Sequence, residues 1–179
     1  MVAEKNEGSY TRLNTLPVYY RTILSSKVII YLLVCLIQFM FMLITGMWLL
    51  PAFFGLPHLQ LGNHYLAIAV ATISAALAAI GFGLIVGTVS TTHGQAALFG
   101  SLMVVILGVI SGTFLPVYLM PKPLLYLSML SPMRWGIDNY LVIFIREGTL
   151  LSILPKILLL LLFFIFAMIF SIVIFAGKK

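Results

Sequence analysis

Charge is what this sequence lacks most: only 8% of its 179 residues are Asp, Glu, Lys or Arg, and just 4 of those are acidic. Soluble globular domains carry roughly a quarter charged residues, so a chain this poor in charge cannot clothe a water-soluble surface. Cysteine is also nearly missing. Cys35 stands alone, which excludes an internal disulfide and a thiolate metal cluster. His58, His64 and His93 are scattered, and neither HExxH nor paired Cys/His spacing occurs, so no metal or cofactor is implied. GxxxxGK[ST] is absent, which excludes ATP binding through a P-loop, and Gly100-Ser101 lacks the GxSxG setting of a hydrolase nucleophile. Catalysis by this polypeptide is therefore not expected.

What is present is apolar: 63% of the residues are hydrophobic and the mean hydropathy is +1.19. Crossing a hydrocarbon core of about 30 Å takes about 20 helical residues. Four runs are long enough, at 28–50, 65–89, 97–116 and 155–176. The expected fold class is an all-α integral membrane protein, with a membrane domain over 28–176 and no room for a soluble catalytic domain beside it. The connection 51–64, with Pro51, Gly55, Pro57 and Gly62, and the short polar stretch 90–96 read as surface turns. Met1 is followed by mostly polar residues rather than a short apolar stretch with a small-residue cleavage site, so no cleaved signal peptide is expected.

The formal net charge of +6 does not point to nucleic acid, because the basic residues sit at the ends of apolar runs and not in one patch with interleaved aromatics. Lys5, Arg12, Arg21 and Lys27 precede the first run, and Lys178 and Lys179 follow the last. Four crossings put both termini on one side, and the positive-inside tendency makes that side the cytoplasm, with 177–179 as a cytoplasmic tail.

The stretch LSPMRWGIDNYLVIFIREG, 130–148, places Arg134, Asp138 and Asn139 in apolar surroundings. As a fifth span over 124–145, Arg134 and Asp138 would each cost about 2.5–3.5 kcal/mol near the bilayer centre, against about 0.3–0.6 kcal/mol gained per Leu, Ile, Phe or Val. The sums nearly cancel, but a fifth crossing would put Lys178 and Lys179 outside. Pro132 would also interrupt such a helix, and Pro116, Pro121 and Pro123 break the chain before it. Residues 117–147 are therefore expected to form two short helices joined near Ser131-Pro132, dipping into the outer leaflet without crossing. Arg134 and Asp138, at i and i+4, can pair on one helix, either as a structural ion pair or as charges lining an exit route.

Two small-residue patterns suggest close helix packing: Ala71, Ala75, Ala79, Gly83 and Gly87 at four-residue spacing, and Gly108 with Gly112. Ordinary packing within the chain is the simpler reading, and a subunit interface the sharper one. Tyr31, Gln38 and Thr45 fall seven apart on the first span, suited to interhelical hydrogen bonds or to lining a solute path. In 1–27, Asn14 or Thr15 can cap a helix with Pro17 in its first turn, and Leu16, Tyr20, Ile23 and Leu24 share a face, which predicts a helix lying on the cytoplasmic surface.

Four groups of residues in order along the chain carry a family resemblance. Glu7-Gly8-Ser9, Arg12-Leu13, Pro17 and Lys27 form an acidic, glycine and hydroxyl segment running into a basic residue before a span. Gly81-Phe82-Gly83 through Gly87-Thr88 form a glycine-rich span end. Ser111-Gly112 with Pro116 and Met120-Pro121, and then Ser131-Pro132 with Trp135, complete the series. Together they resemble the permease subunits of ABC type-2 exporters, which move drugs, lipids or polysaccharides outward. The resemblance implies that Glu7, Gly8, Ser9, Arg12 and Leu13 receive motion from a separate ATP-binding subunit. It further implies that Pro116, Pro121, Pro132, Arg134, Trp135 and Asp138 belong to the re-entrant exit region, and that a second permease subunit, identical or different, completes the assembly. The expected setting is a prokaryotic plasma membrane. Such permeases typically have six spans; this chain is expected to correspond to the last four. The alternative is a non-transporting scaffold or accessory membrane subunit.

Overall fold

A computed structural model describes residues 20–55, 64–146 and 148–176. Seven α-helices account for nearly all of it: α1 (Tyr20–Ile44), α2 (Leu50–Phe54), α3 (Tyr65–Val89), α4 (His93–Ser111), α5 (Lys122–Ser128), α6 (Pro132–Ile145) and α7 (Leu150–Ala176). No strand occurs among the described residues. Four stretches are long and apolar enough to cross a membrane: Leu24–Phe53, Tyr65–Val89, His93–Ser111 and Leu150–Ile174.

Local chemistry explains where each begins and ends. A π-helical turn, Thr45–Leu49, joins α1 to α2. It lies just before Pro51, which has no N–H and whose ring crowds the carbonyl four residues back; a widened turn relieves both problems. The first apolar helix therefore continues past the expected residue 50 and stops at Gly55, whose φ of 61° terminates it, with its N–H on the Pro51 carbonyl at 3.0 Å. It also starts before residue 28: Tyr20 to Lys27 are its opening turns, and Leu24 is fully buried. The rest of the expected surface helix lies outside the described residues.

The third span is displaced toward the N-terminus of its expected range. Thr92 accepts a hydrogen bond from Gln95 N (3.2 Å), and Gln95 Oε1 accepts in return from Thr91 N (3.0 Å) and Thr91 Oγ1 (2.8 Å). This reciprocal cap starts α4 at His93. Gly112, at φ 97°, ends it. The last span begins at Leu150, ahead of Pro155, which lies inside the helix in its second turn and leaves the Leu151 carbonyl without its ladder bond. Between α5 and α6, Ser131 is extended (φ −79°, ψ 121°), the conformation that a following proline imposes.

Helix α3 is the centre of the bundle. Its buried face, Ala67, Ala71, Ser74, Ala78, Gly81, Leu84 and Thr88, recurs every three or four residues. At one end Ala67, Ile68 and Ala71 pack with Ile143 of α6 and with Ile153 and Ile157 of α7. At the other, Ile80 and Leu84 pack with Leu24 and Val28 of α1 and with Phe164, Met168 and Ile172 of α7. By contrast, α1 and α4 turn long rows of apolar side chains outward, among them Ile29, Leu33, Phe41, Leu98, Leu102 and Val105.

Candidate functional site

Successive contacts fix the path of α6. Ile143 lies with Ala67 and Ala71, Tyr140 meets Thr72, Gly136 lies against Ala75, and Pro132 shares a cavity wall with Ala78 and Ala79. This helix therefore runs antiparallel to α3, and its first residue stands level with the middle of α3. A 14-residue helix is about 21 Å long, too short to cross a core of about 30 Å.

Polar contacts fasten α6 on three sides. The Thr72 hydroxyl donates to the Ile68 carbonyl (2.7 Å) and accepts from the Tyr140 hydroxyl (2.9 Å). Tyr140 also stacks between Phe39 of α1 (ring centroids 5.9 Å apart) and Phe144 (6.2 Å), tying α1 to α6. Trp135 Nε1 donates to the Met129 carbonyl at 2.7 Å, closing the bend between α5 and α6. On the side facing α7, Lys156 Nζ lies 2.9 Å from Asp138 Oδ2, and Arg134 Nε lies 3.7 Å from the same oxygen. Arg134 Nη1 also donates to Ser128 Oγ, so one guanidinium links both short helices to the carboxylate.

One side chain inside α6 has no such partner. Asn139 is fully buried, and neither its Oδ1 nor its Nδ2 finds a hydrogen-bond partner among the described residues. A buried amide in that state carries a desolvation penalty of about 1–3 kcal/mol per unpaired group.

Next to α6, a cavity of ≈ 410 Å³ opens between Ala75, Ala79, Phe82, Leu107, Met133 and Tyr140, and its walls are almost wholly apolar. A groove of ≈ 560 Å³ separates α1 from α3 between Phe39, Met47, Trp48, Tyr65 and Thr72. Among the described residues no three His, Cys, Asp or Glu side chains gather. The site can orient a helix and present charge.

Of the residues expected to matter, Pro132, Arg134, Trp135 and Asp138 come together on α6, while Pro116 and Pro121 lie in the connection that leads to α5. Glu7, Gly8, Ser9, Arg12 and Leu13 lie outside the described residues. The small-residue set is divided. Ala71 is buried, Ala75 and Ala79 line the cavity, and Gly83 faces open space. Four-residue steps advance about 40° beyond each full turn, so such a row winds around the helix and cannot stay in one interface. Gly108 and Gly112 serve the end of α4, where the Phe114 ring covers Gly108. Tyr31, Gln38 and Thr45 are exposed, and the Thr45 hydroxyl returns to the Phe41 carbonyl of its own helix at 2.8 Å. Sequence reading missed Lys156, Thr72 and Tyr140. Lys156 is 18 residues from Asp138, and nothing in the local pattern signals that distance closing.

A family model described as an ABC-2 family transporter protein matches residues 1–173. No curated protein and no solved structure matches the chain. The matched range covers every described helix except the last residues of α7, including the half-length α6 and its charges. The chain belongs to the ABC-2 transporter family and is a multi-pass membrane component of a transport system.

Proposed function

We propose that this chain is the permease component of an ABC exporter, moving a drug, lipid or polysaccharide-type solute outward with ATP hydrolysed by a separate ATP-binding subunit. The observation that supports this best is α6, which stops halfway along α3 while carrying Arg134 and Asp138. Irregular backbone at membrane depth is tolerated only against protein or a watery cavity, and intramembrane charges commonly mark solute routes. In this reading α5 and α6 enter the outer leaflet, both termini are cytoplasmic in a prokaryotic plasma membrane, and Arg134, Trp135 and Asp138 form the rim of the exit path. Glu7, Gly8, Ser9, Arg12 and Leu13 receive the motion of the ATPase. A second permease subunit, the same or different, and membrane lipid cover the apolar faces of α1 and α4. ATP binding and hydrolysis in the partner then drive the change between inward-open and outward-open states.

The test is co-purification with a candidate ATPase, followed by hydrolysis assays on Glu7→Ala and Arg12→Ala. Coupling predicts that the complex persists while solute-stimulated hydrolysis falls. Hydrolysis indifferent to both changes removes the coupling role, and failure to associate with any ATPase removes the exporter reading in favour of a scaffold.

A further inference from the structure

We propose that the Arg134–Asp138–Lys156 cluster binds the phosphate headgroup of a membrane phospholipid. Two cations lean on one carboxylate oxygen, Asp138 Oδ2, at 3.7 Å and 2.9 Å. Asp138 is the only acidic side chain among the described residues, and the cluster of two cations and one carboxylate carries one more positive charge than negative. Lys156 spends one of its three N–H donors on Asp138, and Arg134 has guanidinium hydrogens beyond those directed at Ser128 and Asp138. Those donors have no further partner among the described residues and are suited to phosphate oxygens.

Depth and surroundings select a lipid over a soluble anion. Lys156 stands six residues into α7, about 9 Å along its axis. The 27 residues of α7 make about 40 Å, against about 30 Å of hydrocarbon, so a centred helix leaves Lys156 within a few ångströms of the hydrocarbon edge. Its flexible stem can carry the ammonium to headgroup level. Lys156 is 34% exposed, whereas Arg134 is 15% exposed. One turn deeper than Lys156, Leu159 of α7 turns apolar surface outward, suited to an acyl chain that runs from the cluster toward the bilayer centre. Basic pockets between membrane helices recruit anionic headgroups in this way. The inference rests on the exporter reading only for placing α6 within the membrane.

Native mass spectrometry of the whole chain, released from detergent micelles with titrated phosphatidylglycerol, tests it without nucleotide or ATPase. A coupling failure and a lipid-binding failure are thereby seen separately. Phosphatidylglycerol is expected to bind at least tenfold more tightly than diacylglycerol with the same chains. Lys156→Gln should weaken it about tenfold, Lys156→Arg should retain it, and Arg146→Gln, at the far end of α6, should leave it unchanged. Asp138→Asn gives the decisive sign: removing the competing carboxylate should tighten binding, whereas a purely structural cluster would loosen in both the Lys156 and Asp138 variants. Equal binding of diacylglycerol, equal losses in Lys156→Gln and Arg146→Gln, or weaker binding in Asp138→Asn overturns the proposal. Displacement of the lipid by millimolar inorganic phosphate assigns a soluble anion instead and overturns it as well.

Discussion

Gly81 and Gly83 are neighbours in the same Gly-Phe-Gly triplet, yet the bundle should treat them oppositely. A Cβ placed on Gly81 would lie 3.0 Å from Ala167 Cβ, 3.3 Å from Phe164 Cδ2 and 3.4 Å from Phe164 Cα, whereas a Cβ on Gly83 meets nothing within 4 Å. Two of the three atoms near Gly81 belong to the body of α7 and not to the end of a flexible side chain, so the helices must separate for any larger residue to fit. Gly81→Val adds two γ carbons to that gap. Overpacking of this kind costs about 1–3 kcal/mol. The helix-propensity gain over glycine is only a few tenths of a kcal/mol for valine and offsets little of it. Gly83→Val carries the same propensity gain with no clash, and exposed substitutions typically stay within about 0.5 kcal/mol. A net loss of about 2 kcal/mol corresponds to roughly a thirtyfold fall in the folded-to-unfolded ratio. Unfolding of the purified chain in mixed micelles with increasing denaturing detergent, followed by circular dichroism and a tryptophan signal, measures both variants side by side. If Gly81→Val and Gly83→Val shift the midpoint alike, or Gly83→Val is the more damaging, the close approach of α3 and α7 at Gly81 is not what holds the bundle.

Three further outcomes are expected from the same preparation. Asp138→Asn leaves Lys156 and Arg134 without their counter-charge and should destabilise by about 1–3 kcal/mol, less than a fully buried pair because the group is a quarter exposed; the double variant Asp138→Asn/Lys156→Gln should recover part of the loss. Asn139→Leu should hold or raise the unfolding midpoint, since it replaces two unpaired buried polar atoms with an apolar group of similar size; a loss above about 1 kcal/mol would mean the amide is satisfied in the membrane. Thr72→Val should cost about 0.5–1.5 kcal/mol, and a double-mutant cycle with Tyr140→Phe should show coupling between the two; additive losses would mean the hydrogen bond contributes nothing. Membrane sidedness needs an exposed reporter. Tyr118, 85% exposed, is a suitable position for a single cysteine in a Cys35-free background; labelling from outside the cell is expected, and labelling only from the cytoplasm would invert the topology.

The composition alone decides the solvent. With so few charges and runs as apolar as 155–176, the only stable arrangement is helical and in a membrane, because each backbone polar group in hydrocarbon must be satisfied within its own helix. The breaks at Gly55 and Pro132 are legible for a similar reason: each acts through its own φ or its own missing N–H, a strictly local effect, whereas the helix runs on through Pro51, where a break was expected, and Gly112 ends α4 ahead of the expected residue 116. Helix starts were less legible. Thr91, Thr92 and Gln95 read as loop in composition, and only the hydrogen bonds that Gln95 makes with both threonines make them the opening of α4.

Which small residues touch, and which charges meet, belongs to the tertiary structure. The four-residue row from Ala71 to Gly87 is regular in sequence, but the 3.6-residue turn rotates it away from α7 while bringing Gly81 in. Arg134 and Asp138 are paired by local spacing, whereas Lys156 joins them only because α6 and α7 fold back antiparallel about the tip near Gly148. A local pattern can specify a helix and its ends; the partner of a given face depends on the packing of helices distant in sequence, and that packing created both the charge cluster and the buried amide of Asn139.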